Sequence, residues 1–385
     1  MRFSERTAWE LGENPFAANL RRARTSGREL LDLTVSNPTA CGFAYDEAAL
    51  LAPLAHPHAL LYEPEPLGMA SARAAVVDYY RDAGADIPIQ HLCLTTSTSE
   101  AYSFLFRLLC DPGDEVLIAS PSYPLFDYIA RLDSVRLVEY PLLYHDGWQV
   151  DLDALAASIT ARTRAIIVVH PNNPTGHFCS PAERAALQTL CAQRGLALIV
   201  DEVFLDYPLP GVTANSFTAA YAPALTFVLS GLSKVCALPQ MKCSWIATLG
   251  PAPDIERAMA RLEIIADTFL SMNSPVQHAL PKWLAGRRSL QHQIRARMSE
   301  NLAALDRALI GSSCQRFKMD AGWTTLLRVP RTVVGVEFCA AALARGVVVQ
   351  SDEFYGLPVG RAVLSLLVPP ELWRSGLERL PCAGS

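Results

Sequence analysis

Apolar residues along this chain gather into short runs separated by polar or helix-patterned stretches. Runs of this kind stand at 91–96, 115–119, 135–140, 165–169, 198–200, 225–229 and 244–248. They are too short for helices and rich in Val, Ile, Leu and Phe, so each predicts a buried strand. Between them, Ala70–Tyr80 has the spacing of an amphipathic helix, and Ser97-Thr-Ser-Glu100 has the pattern of a capping box opening a helix over Ala101–Leu109. Seven strands interleaved mainly with helices predict an α/β fold on a seven-stranded, mostly parallel sheet. Before it stand a helix candidate over Pro15–Ser26 and a strand-like Glu29–Val35. From about residue 285 the texture changes to a charged helix, Arg287–Leu309, then a strand-like Trp323–Val329 and a terminal αβα-like region. The pattern divides the chain into a large domain over 46–284 and a smaller α+β domain made of 1–45 and 285–385.

Composition narrows the function classes. At 51% hydrophobic over 385 residues, the chain has ample material for such a core. A net charge of −5, with no basic run or aromatic-interleaved basic stripe, argues against a nucleic-acid partner. The amino terminus is charged and no apolar stretch reaches ~18 residues, so neither a signal peptide nor a membrane span is expected. Ten cysteines without CxxC or Cys/His ligand spacing read as reduced thiols of a cytoplasmic protein. His56-Pro-His58 has no further ligands nearby, so no metal site is expected. There is no internal repeat and no low-complexity linker.

The candidate chemistry lies in the turns that follow the strands. Ser230-Gly-Leu-Ser-Lys-Val-Cys is a small-residue turn after the run at 225–229, and it would deliver the amine of Lys234 from a strand end into a cleft. Partial shielding of that kind lets a lysine lose its proton and attack a carbonyl as a Schiff-base former. Lys242, eight residues on, is a second cation able to hold a phosphate. Ser97, Thr98 and Ser99 open a helix whose free N–H groups and hydroxyls suit a phosphate. Tyr123 ends the stretch that starts at Asp111-Pro-Gly, where an aromatic can stack on a flat ring. Val168-Val-His-Pro-Asn-Asn-Pro-Thr-Gly176 brings Asn173 to a strand end, and Leu196–Val203 is a buried strand ending in Asp201. Ser97, Tyr123, Asn173, Asp201 and Lys234 all fall at strand carboxyl ends, where α/β sheets place their chemistry.

Together these segments, in this order and spacing over about residues 30 to 370, resemble the pyridoxal-phosphate aminotransferases of the aspartate aminotransferase fold group (fold type I, class I/II). The resemblance implies a fold type I transferase that binds pyridoxal 5'-phosphate. It implies that Lys234 holds the cofactor and shuttles a proton, that Asp201 pairs with the pyridine nitrogen, and that Asn173 bonds the ring oxygen and a substrate carboxylate. It places Ser97, Thr98, Ser99, Ser233 and Lys242 at the phosphate, Tyr123 on the ring, and Tyr62 of Leu61-Tyr-Glu-Pro across a homodimer interface at the neighbouring phosphate. Ser36 takes the place of the glycine in the family's Gly-x-Pro turn beside the substrate.

Three departures from the family pattern stand out. Phe204 occupies a position usually held by a tyrosine that donates to the ring oxygen, leaving Tyr207 or water to compensate. Lys242 stands where an arginine is usual, a point charge in place of a fork. Val363, in Arg361-Ala-Val-Leu-Ser365, stands where the family carries its carboxylate-binding arginine. Side chains two apart on a strand share a face, so Arg361 is the candidate to grip the substrate from one step back; the alternative is a solvated Arg361 and a substrate lacking an α-carboxylate. The activity implied is transfer of an amino group between an amino acid or amine and a 2-oxo acid. A lyase or decarboxylase of the same fold and a non-catalytic cofactor-binding protein remain alternatives.

Overall fold

The computed structural model describes residues 1–9, 11–12, 15–330 and 335–382. Its strands, in chain order, are β1 (Leu31–Asp32), β2 (Leu92–Thr95), β3 (Glu115–Ser120), β4 (Arg136–Tyr144), β5 (Trp148–Val150), β6 (Thr163–Val169) and β7 (Ala197–Asp201). Then follow β8 (Thr226–Gly231), β9 (Ser244–Leu249), β10 (Gln315–Arg316), β11 (Thr324–Arg328), β12 (Val347–Val348), β13 (Gln350–Ser351) and β14 (Arg361–Ser365). All seven expected strands join one sheet in the order β2-β9-β8-β7-β6-β3-β4-β5. The sheet has eight strands where seven were expected. The extra one, β5, folds back antiparallel on β4, which itself runs past Pro141 to Tyr144. The hairpin closes at Asp146-Gly147, both at positive φ, an Asp-Gly turn that only the residue pair and not the apolar pattern betrays. Apart from β5 and β9, the strands of this sheet run parallel.

Strand residues alternate between two cores because successive side chains point to opposite faces. Leu117, Ile166, Leu198, Val200 and Val228 join the cluster beneath helices Ala70–Asp82, Pro181–Arg194 and Ser274–Gly286. Val116, Ile167, Ile199, Phe227 and Leu229 join the cluster beneath helices Thr98–Leu109, Leu125–Leu132 and Ala252–Thr268. Such burial contributes about 1.5–3 kcal/mol for each large aliphatic side chain. Strands covered on both faces read as continuous apolar runs, which is why they were legible.

A third cluster gathers Leu33, Cys41 and Phe43 with residues from Leu290 to Cys382. It surrounds a second sheet, β10-β11-β14-β13, all antiparallel. The strand expected over 29–35 shortens to β1, which pairs in parallel with β12. Beyond it the backbone is held by β14 instead: the Ser365 hydroxyl donates to the Val35 carbonyl at 2.7 Å. The expected charged helix runs Arg288–Ala308 and is tied to the end of β14 by Asn301, whose amide donates to the carbonyls of Leu366 and Val368.

Candidate active site

One cavity of about 570 Å³ opens at the carboxyl ends of β2, β3, β6, β7 and β8, lined by residues from both large clusters' sheet and from β11. Lys234 reaches it from the short helix Leu232–Val235, which follows β8 without a connecting loop. The close approach depends on Gly231: a Cβ there would lie 2.2 Å from Ser244 Oγ and 2.9 Å from the Cys243 carbonyl oxygen. The Lys234 amine lies 5.1 Å from the ring centre of Trp323 and 5.5 Å from that of Phe204. Burial among these rings lowers its pKa from the usual lysine value, with the Asp201 carboxylate opposing the shift. The chain has four lysines, and of these Lys234 alone lines the cavity.

Asp201 is the last residue of β7 and is 6% exposed. Burial raises its pKa to about 6, while the Val203 amide at 3.1 Å, the Tyr102 hydroxyl at 3.1 Å and the charge of Lys234 stabilise its ionised form. Glu202 beside it turns away from the cavity, taking the Ser216 hydroxyl at 2.6 Å and the Phe217 amide at 2.7 Å. The strand alternation thus separates the acid that faces the cavity from the one that braces a loop.

Asn173 sits in a turn built by its neighbour. Asn172 Oδ1 accepts the Thr175 hydroxyl at 2.8 Å, and its amide donates to the Pro121 carbonyl. Gly176 has φ +74°, and a Cβ on it would meet the Ala321 carbonyl oxygen at 2.5 Å. That closeness lets the Gly176 carbonyl accept the amides of Asp320 and Ala321, both at 3.0 Å, which docks the lead into β11 on the turn. Asn173 Oδ1 in turn accepts the Thr324 hydroxyl at 3.3 Å.

Ser97 caps the helix Thr98–Leu109 by accepting the Glu100 amide at 3.1 Å; the Glu100 carboxylate reaches back to Thr96 rather than to Ser97, so only half of the expected box forms. Ser97, Thr98, Ser99, Ser233, Tyr123 and Ser36 all line the cavity. Three expected residues do not. Lys242 is exposed, at φ 52°, on the far side of its turn. Tyr62 is 77% exposed on the loop after Pro57–Leu60. Arg361 lines a neighbouring cavity instead. Tyr207 also stays outside: its hydroxyl donates to the Lys234 backbone carbonyl, so it offers nothing in place of the tyrosine absent at Phe204. Trp323, Thr324, Tyr355 and the Asp201 partner Tyr102 were not singled out from the sequence. Tyr102 lies on the apolar face of a helix, and the others lie in stretches with no motif of their own.

The donor set fits a phosphorylated pyridine aldehyde. A shielded amine faces the cavity with only aromatic faces beside it, a buried carboxylate opens onto the same space, and hydroxyls cluster at the positive end of a 12-residue helix. Among the lining residues Lys234 is the lone cation.

Comparison with known proteins gives the same picture. The family model described as aminotransferase class I and II matches residues 47–371. The chain is 28% identical over 281 residues to the glutamate-pyruvate aminotransferase of Escherichia coli strain K12, covering 73% of this chain and 69% of that protein. It is 31% identical over 281 residues to the alanine aminotransferase of Mycobacterium tuberculosis strain H37Rv, covering 72% and 65%. Among solved structures, the alanine aminotransferase of Pyrococcus furiosus superposes with a TM-score of 0.87 at 24% identity, covering 98% of each chain. An aspartate aminotransferase mutant of Thermus thermophilus gives 0.85 at 24% identity, covering 98% and 99%.

Proposed function

The chain belongs to the aminotransferase class I and II family, pyridoxal-phosphate enzymes that move an amino group between an amino acid and a 2-oxo acid, and we propose that the cavity around Lys234 is where it does so. The observation that carries this reading is the convergence of Lys234, Asp201 and Asn173 from three strand ends on one cavity.

Bound there, pyridoxal phosphate supplies an aldehyde that captures amines and a ring that accepts electrons. The chain's own residues do the rest. Lys234, whose pKa burial lowers, would hold the cofactor and would carry the proton between the substrate Cα and the cofactor's aldehyde carbon. Asp201 would pair with the pyridine nitrogen and keep a proton on it; a cation at that place would favour its ionised form. Asn173, oriented by Thr324, would donate to the ring oxygen. The Tyr123 ring would stack on the cofactor ring, and Ser97, Thr98, Ser99 and Ser233 would hold its phosphate. Ser36, on a turn fixed by Ser365, borders the substrate.

We read the working unit as a homodimer in which Tyr62 reaches the neighbouring phosphate. Leu60 at 91% exposure, Leu61 at 51% and Tyr62 at 77% form an apolar loop with no cover in a single chain, and the site has no second cation of its own. Ten free cysteines favour a reducing, cytoplasmic location; among the described residues no helix is long and apolar enough to cross a membrane. The names of the relatives make glutamate and alanine the first donors to try, with pyruvate and 2-oxoglutarate as acceptors.

The test is a single-turnover half-reaction without acceptor. A transferase consumes the cofactor's visible band and releases one 2-oxo acid per site. Recovery of the band with loss of carbon dioxide or another fragment would make the enzyme a lyase, and no change with any donor would make it a non-catalytic binder.

A further inference from the structure

Beside the central cavity lies a second one of about 500 Å³, lined by two arginines, Arg328 and Arg361, neither of which forms an ion pair among the described residues. Arg328 on β11 and Arg361 on β14 are direct cross-strand partners. Like charges in that relation are destabilising, and burial together with Arg328 lowers the pKa of Arg361. Both guanidinium groups lie over the ring of Phe317, with their central carbons 4.9 and 5.4 Å from its centre.

Two acids stand near the pair without an ion pair to it, although the charge of Asp352 favours the ionised Arg361. Asp352 is 2% exposed, and its carboxylate accepts the backbone amides of Glu353 at 3.0 Å, Gly360 at 2.8 Å and Arg361 at 3.2 Å. Glu139 stands exposed at the edge of the same cavity, and neither arginine forms an ion pair among the described residues. Arg361 Nη1 donates to the Pro358 carbonyl at 2.7 Å, but its Nε is buried without a partner. The indole nitrogen of Trp148, which lines the same cavity, is likewise buried without a partner. Leaving a buried donor unmade costs about 1–3 kcal/mol, so these two donors, beside the half-buried Arg361 and the exposed Arg328, favour an anion at the cavity mouth.

The site lies next to the chemistry. Pro121 and Gly356 line this cavity, while Tyr123 and Tyr355, one or two residues away, line the central one. Val363, on the same face of β14 as Arg361, packs in an apolar cluster with Phe317, Leu326 and Leu357. The strand therefore carries its charge at Arg361, displaced into the second cavity.

We propose that Arg328 and Arg361 form a subsite for the distal anionic group, a carboxylate or a phosphate, of a substrate whose reacting carbon lies at Lys234. This rests on the transferase reading above. The arginine pair receives the anion in charge-assisted hydrogen bonds, Trp148 adds a neutral donor, and Phe317 gives a flat floor.

Calorimetric titration of the holoenzyme at low ionic strength with succinate, glutarate, adipate and inorganic phosphate tests the subsite without turnover, and the best binder tells a carboxylate site from a phosphate site. At least one anion binds wild type, and Arg328→Gln and Arg361→Gln each loosen it by about 10- to 100-fold, as expected for lost bonds to a charged group. Arg361→Lys, which keeps the charge but loses the fork, falls between. At the same concentration the binding anion raises the melting temperature of wild type more than that of either Gln variant. No binding by wild type, or equal binding by the variants, would overturn the subsite. In half-reactions, the variants lose preference for glutamate over 2-aminopentanoate by a similar factor; an equal loss for both donors would also overturn it. A holoenzyme that binds anions through these arginines yet aminates nothing would leave the subsite standing and refute the transferase reading instead.

Discussion

The hydroxyl of Tyr207 donates to the backbone carbonyl of Lys234 at 2.6 Å. Tyr207 is fully buried and stacks edge-on against Trp323, whose ring also borders the Lys234 amine. The tyrosine therefore fixes the turn that carries the lysine. Tyr207→Phe leaves that carbonyl with the Ala237 amide at 3.1 Å and removes one buried hydrogen bond, a loss of about 0.5–1.5 kcal/mol. Urea unfolding reads the loss directly; an unchanged midpoint would mean the turn is held by other contacts.

Asp201 sets the electrostatics of the cavity floor. Removing a preorganised charge from a site typically costs at least ~10²-fold in rate, so Asp201→Ala should slow proton loss from the substrate Cα by that much or more. Stopped-flow half-reactions measure it. Turnover near the wild-type rate would reduce Asp201 to a strand cap for Val203.

Much of this was legible because both-sided burial writes strands as apolar runs and because the lysine, acid and asparagine lie in turns with distinctive residues. Lys234, Asp201 and Asn173 meet where the strand ends meet. The misses have local causes. β5 is three residues long with an outward Gln149, too short to register as a run. Lys242 sits at φ 52°, and that left-handed twist, invisible in the residue pattern, turns it to solvent. Arg361 follows the face rule for strands, but the face leads to the second cavity, and only the cross-strand pairing with Arg328 reveals that. Trp323 and Thr324 enter the site because Gly176 draws their segment in, a long-range contact without a sequence signature. The clustered core passes from Leu284 to Leu290, and we propose that the expected domain boundary at 284/285 lies there.

His177 predicts a pH dependence of stability. It is 5% exposed, its Nε2 lies 3.1 Å from Glu183 and its Nδ1 3.8 Å from Asp320, so it ties the helix Pro181–Arg194 to the segment that leads into β11. Burial alone would lower its pKa, but bonds to Asp320, Cys179 and Glu183 outweigh that and raise it to about 11. His170, held neutral by burial, and Arg184 are the other ionisable groups close by. A raised folded pKa gives stability that is complete below the unfolded value of about 6.5 and is lost as pH rises toward 11. Urea midpoints should therefore decline from pH 7 to pH 10 in wild type and decline less in His177→Gln. Equal slopes would remove His177 as the cause.

Tyr62 makes the quaternary proposal testable. Mixed subunits carrying Tyr62→Phe and Lys234→Ala form heterodimers in which one site has both residues intact and the other has neither. Mixing should restore activity above that of either parent. Activity indifferent to mixing would show that each site is completed within one chain.

The central claim is that Lys234 carries the chemistry, and borohydride reduction of the holoenzyme followed by peptide mapping tests it most directly. The reduction fixes the cofactor to the amine that holds it. The label should appear on the peptide containing Lys234, the one lysine that lines the cavity. A label on Lys242, Lys282 or Lys318 would contradict the account.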